Sequence, residues 1–160
     1  MRMNKQLPED KSVDSRGLAI HYLDWGNCEA TPMVLLHGIY SHAHYWDFFA
    51  PRMSDSYHVL ALDQRGHGDS SKAESYGPRD YFSDLESFAE ALDLPKFALI
   101  GHSMGGINAI IYAARHPEMV SSLVIVDIGP EIGQAGRERM ERERREEPGL
   151  FRTEEEAVSW

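Results

Sequence analysis

The stretch Phe97-Ala98-Leu99-Ile100-Gly101-His102-Ser103-Met104-Gly105-Gly106 constrains this chain more than any other. It holds G-x-S-x-G as Gly101, Ser103 and Gly105. An apolar run precedes the pattern and a helical run follows it, so the chain must pass from buried strand to helix through one sharp turn. A serine at that apex adopts a strained conformation, and only small residues two positions either side avoid a clash. Gly101 and Gly105 supply that smallness. The serine hydroxyl then projects above the sheet at a helix N-terminus, whose dipole favours developing negative charge. The plainer alternative is a glycine-rich turn whose serine only caps the helix.

The rest of the chain reads as alternating strands and helices. Ser12–Asp14 and Leu18–Trp25 flank Ser15-Arg16-Gly17, a hairpin pattern. Met33–Leu36, Tyr57–Leu62, Phe97–Ile100 and Leu123–Val126 are short apolar runs bounded by Gly, Pro or Asp, as expected for strands buried on both faces of a parallel sheet. Tyr81–Leu92 places Phe82, Leu85, Phe88, Ala89 and Leu92 on one helical face. Ser103–His116 does the same with Met104, Ile107, Ile110, Ile111 and Ala114, and Pro117 stops it. Residues 1–10 read as a polar, frayed start. The expected fold class is α/β, a mostly parallel doubly wound sheet with crossover helices.

Two further loops bear on chemistry. His37-Gly38-Ile39-Tyr40 follows the strand at Met33–Leu36. Acyl transfer to a serine needs two backbone N–H donors for the oxyanion. Met104, the residue after the serine, supplies one, and position assigns the other to Ile39. The His37 side chain is read as ordering the turn. Asp63-Gln64-Arg65-Gly66-His67-Gly68 makes a second tight loop, in which Asp63 and Arg65 tie the loop down in preference to touching substrate. Gly38, Tyr40, Trp46 and His102 are candidate substrate contacts. Trp46, Phe48, Phe49 and Tyr40 either line an apolar acyl pocket or form the core of the segment after the oxyanion loop.

These elements, in this order, resemble the α/β-hydrolase superfamily, in its cap-bearing branch of esterases, lipases, C–C bond hydrolases and perhydrolases. His37-Gly38, Asp63–Gly68, Gly101–Gly106 and Leu123–Asp127 with Gly129-Pro130 carry the resemblance, over roughly residues 12–130. It implies a serine hydrolase acting through an acyl-serine on a small or medium ester or related acyl compound. C–C bond hydrolysis, perhydrolysis and a non-catalytic binding role are the alternatives. Epoxide hydrolases and haloalkane dehalogenases of this branch use an aspartate at the apex, so Ser103 disfavours both activities.

The family's chain order is serine, acid, histidine. His116 is the only histidine after Ser103, and about twelve helical residues put it some 18–20 Å from the apex. His42 and His44 lie on the loop after the oxyanion strand and are weaker candidates for the base. Asp127 is an alternative acid, since some members carry the acid after the sixth strand. The expectation is therefore an N-terminal part of a hydrolase core at residues 1–130. A charged start of a cap is expected at 131–160, with the histidine beyond Trp160.

Composition narrows the remainder. The net charge of −10 argues against nucleic-acid binding, which needs a basic patch. Fifteen charged residues fall within 131–160, and their Arg/Glu alternation reads as a solvated helix face. A lone Cys28 excludes a disulfide framework, and His42-x-His44 lacks a third ligand, so neither metal nor organic cofactor is implied. No apolar run suits a membrane span, and the N-terminus has no secretory pattern. A cytoplasmic location is expected, with association through an exposed sheet edge where a seventh strand would dock.

Overall fold

The computed structural model describes residues 7–128 together with Gly136, Glu138 and Arg142. The chain divides into two units at Ile128/Gly129. The expected cap start at 131–160 falls in the second unit, almost wholly outside the described residues. The first unit is a six-stranded sheet in the order β1-β2-β4-β3-β5-β6. Its strands are β1 (Glu9–Ser15), β2 (Leu18–Asp24), β3 (Pro32–Leu36), β4 (His58–Leu62), β5 (Phe97–His102) and β6 (Val120–Val126). β1, β2 and β4 pair antiparallel, and β4, β3, β5 and β6 run parallel.

Alternation along the central strands divides the core between two faces. Val34 and Leu36 of β3 face the helices α2 (Pro78–Ala91) and α3 (Met104–Arg115), joining Phe88, Phe97, Leu99 and Tyr112. Met33 and Leu35 face the other side, with Ala43, Trp46 and Ala50 from a 3-10 turn (Ala43–Trp46) and the short helix α1 (Ala50–Met53). Strands buried on both faces explain the continuous apolar runs of β3, β4 and β5. At α2, Pro78 opens the helix with its missing N–H at a position that needs none. The N–H of Gly77 donates to Asp80 Oδ2 at 2.8 Å.

Four expectations require correction. β1 begins at Glu9, inside the stretch read as frayed. Its first four side chains are polar and exposed, so its start carries no hydrophobic signal; the backbone ladder to β2, the ion pair of Lys11 with Asp24 at 2.7 Å and Val13 packed on the core hold it. The hairpin turn is only Arg16-Gly17, both at positive φ, with Ser15 and Leu18 already paired. The buried face of α3 is Gly105, Gly106, Asn108, Ala109 and Tyr112, not the isoleucine stripe. The helix lies so close to the sheet that small residues take the contact, leaving Ile107, Ile110 and Ile111 half-buried and Ala114 exposed. β6 is not buried on both faces. It is an edge strand of the described sheet, and Leu123, Val124 and Val126 are exposed, Val124 to 46%.

The strand order reverses between β3 and β5. From β3 the chain goes to β4 on one side and then returns to β5 on the other. The carboxyl ends of neighbouring strands at such a switch point form a crevice. Here those ends are His37-Gly38 and His102-Ser103.

Candidate active site

Ser103 sits at the apex between β5 and α3 with φ 50° and ψ −115°. A non-glycine residue at positive φ is strained and persists only where its surroundings fix it. The fixing contacts are explicit. The Ser103 N–H donates to Val126 O at 2.9 Å, and Ile107 N–H donates to Ser103 O at 3.1 Å. A Cβ on Gly101 would run into the Gly105 carbonyl and lie 2.7 Å from Gly106 Cα. One on Gly105 would lie 2.5 Å from Leu36 O and 2.6 Å from His37 O. The glycine spacing read in the sequence is thus the close approach of α3 to the ends of β5 and β3.

The loop after β3 reaches the same point. A Cβ on Gly38 would lie 3.3 Å from Ser103 Cβ and 2.7 Å from His102 Nδ1. The backbone of Gly38-Ile39 therefore passes directly beside Ser103. Tyr40 follows at φ 59°, turning the chain away. Among the described residues the Ile39 N–H has no backbone acceptor. Met104 opens α3, so its N–H is one of the unpaired first-turn donors. The Gly38 end of the loop and the start of α3 thus both adjoin Ser103.

His37 is fully buried. Its Nδ1 donates to Gly38 O at 2.7 Å, and its Nε2 accepts from the Gln64 N–H at 3.0 Å. Burial, helped by the nearby His67 and His42, pushes its pKa down to about 4 against the opposing pull of Gly38 O and Asp63. The ring is neutral at ordinary pH and ties the β3 loop to the β4 loop. Asp63 is the hub of that second loop. It takes the Ala43 N–H at 2.6 Å, the Asp69 N–H at 2.9 Å and His21 Nδ1 at 2.8 Å. His21, Asp63 and Asp69 also lie close enough together to hold a cation, but these bonds already account for the buried carboxylate. Arg65 is buried against Asp84. Neither Asp63 nor Arg65 faces the crevice, in line with their reading as loop anchors.

One candidate contact changes. Trp46 is only 6% exposed and packs in the core beneath the 3-10 turn, so it does not line the crevice. Phe49 packs against the same cluster, whereas Phe48 points outward at 83% exposure and belongs to no core. Tyr40 is exposed beside the loop. His102 stacks on Tyr45, with ring centroids 4.9 Å apart, and its Nε2 is 3.7 Å from Asp127 Oδ2. Tyr45 was missed by sequence reading, because a stacking partner 57 positions away leaves no local signal. Asp127 follows the residue that bonds Ser103, has φ 57°, and is exposed.

No histidine among the described residues is hydrogen-bonded to Ser103, and all eight histidines are described. Six of the others are bonded elsewhere: His21 to Asp63 and Asp10, His37 as above, His44 to Asp47, His58 to Asp24, His67 to Arg65 O, and His116 to Glu86 and Glu118. A groove of about 290 Å³ lined by Glu86, Glu90, Tyr112 and His116 lies at the far end of α3 and is separate from this crevice.

The alpha/beta hydrolase fold family matches residues 31–154, and the chain belongs to that family. It is 37% identical to N-formylmaleamate deformylase of Pseudomonas putida, over 79% of this chain and 47% of that protein. It is 38% identical to 2-(acetamidomethylene)succinate hydrolase of Mesorhizobium japonicum, over 62% of this chain and 36% of the relative. Among solved structures, a bacterial membrane phospholipase A superposes with a TM-score of 0.78 at 35% identity, covering 88% of this chain and 47% of the other. The chain spans less than half the length of each of these relatives.

Proposed function

We propose that Ser103 is the nucleophile of a hydrolase that cleaves a carboxylic ester or related acyl compound through an acyl-serine. The observation that carries this reading is the approach of the Gly38-Ile39 backbone to Ser103, with 3.3 Å between the Gly38 Cβ position and Ser103 Cβ. An attacked carbonyl held at Ser103 places its developing oxyanion between the Ile39 and Met104 N–H groups, donors already fixed before reaction. Asp127, beside the crevice, is the candidate for the orienting acid. No histidine is hydrogen-bonded to Ser103 among the described residues, so this reading names no base there. Without a base the rate falls by several orders of magnitude, although oxyanion stabilisation persists.

The test is a burst assay with p-nitrophenyl butyrate on the protein. The expected result is about one nitrophenolate released per chain ahead of slower turnover, and its loss in Ser103→Ala. Turnover without a burst, unaffected by Ser103→Ala, would assign the chemistry to another group.

A further inference from the structure

Between the β3 loop and α3 lies a buried chain of side-chain amides that the hydrolytic reading leaves unused. Asn108 Nδ2 donates to Gln64 Oε1 at 2.7 Å, and Gln64 Nε2 donates to the His37 carbonyl at 2.6 Å. The Gln64 backbone N–H meets His37 Nε2 at 3.0 Å. All three residues are more than nine-tenths buried. We infer that Gln64 and Asn108 are positioning residues that set the placement of the Ile39 N–H relative to the Met104 N–H. This inference rests on the reading of those two groups as the oxyanion donors.

Asn108 stands one turn after Met104 on α3, and side chains four apart share a helix face. Its amide therefore reports the position of the helix start that carries the Met104 donor. Ile39 is two residues from His37, whose carbonyl is held from two sides. Gly105 of α3 packs against it, its Cβ position 2.6 Å from the oxygen, while Gln64 bonds it. Sterics at Gly105 set the minimum separation of loop and helix. The Asn108–Gln64–His37 chain prevents the loop from moving away. Apolar contact alone would fill this volume without direction, whereas amide hydrogen bonds in a buried setting fix both distance and angle. The roles are consistent with the donor inventory: Gln64 accepts from Asn108 with its oxygen and donates to His37 with its nitrogen, so one amide serves both neighbours.

The test measures the donors directly, by ¹⁵N relaxation on the 160-residue chain. In the native sequence the Ile39 and Met104 amides should have order parameters near the rigid value of about 0.85. Asn108→Leu keeps the volume, touches no atom of the loop and removes the donor to Gln64. It should lower the order parameter at Ile39 below about 0.6 while Met104 and the β1–β2 hairpin stay rigid. Gln64→Glu keeps the acceptor for Asn108 but loses the donor to His37. It should give the same local change, and the double variant should give no more than either alone. An unchanged Ile39, an equal loss of order across the hairpin, or additive effects would overturn the inference. In the burst assay, the same variants should slow acylation about tenfold with the half-saturating ester concentration unchanged. A native protein that shows no burst contradicts the proposed function, while the relaxation result still decides the clamp.

Discussion

Arg65 and Asp84 meet side by side, with Arg65 Nε 2.6 Å from one carboxylate oxygen and Nη2 2.7 Å from the other. Asp84 also accepts from Ser15 Oγ at 2.7 Å, and Arg65 donates to Ser75 O at 3.1 Å. The pair therefore fastens the β4 loop to both α2 and β1. Its guanidinium is held above its usual range, chiefly by the bond to Asp84. Removing one member of a buried pair strands the other. Asp84→Ala should cost about 3–5 kcal/mol in urea unfolding. A loss below about 1 kcal/mol would show that water or another group replaces the carboxylate.

Gly105, like Gly101, should be hard to replace although it carries no chemistry. A methyl group there meets two backbone carbonyls, which have no freedom to swing aside. Gly105→Ala should destabilise the chain by about 1–3 kcal/mol and push α3 off the end of β3. Thermal unfolding reads the first effect. Loss of Ser103 reactivity beyond what the stability change explains reads the second.

His37 gives the fold a pH dependence of known sign. Its folded pKa of about 4 lies below the ordinary histidine value of 6.5, so between those values the unfolded chain binds more protons. Stability from this group is fully present above pH 6.5 and is lost as pH falls toward 4, by roughly 3 kcal/mol in total. Denaturant midpoints across that range should decline, and His37→Gln should flatten the decline. An equal slope in the variant would assign the effect to other groups.

Much of this was legible in the sequence where the constraint is local. The turn at Gly101–Gly105 declares itself because strain, close approach and helix start all act within five residues. The central strands show because burial on both faces makes them uniformly apolar. Only the start of β1, Glu9–Lys11, was hidden, because its ladder there needs no apolar side chain. The packed face of α3 was misread because contact with a sheet selects Gly and Ala, which carry little hydrophobic signal, over Ile. The His37–Gln64–Asn108 chain spans 44 positions between its last two members, and no local pattern announces such a pairing. Trp46 was open to both pocket and core, with core favoured for its group, and its place in the cluster with Leu35 and Ala43 decided it.

The most direct measurement is the reaction of the 160-residue chain with a fluorophosphonate, with and without added imidazole, followed by intact mass and peptide mapping. The expected result is slow formation of a single adduct on Ser103, accelerated by imidazole acting as an external base. Rapid labelling without imidazole would show that a base lies within these residues. Labelling that survives Ser103→Ala unchanged would contradict the assignment of the nucleophile itself.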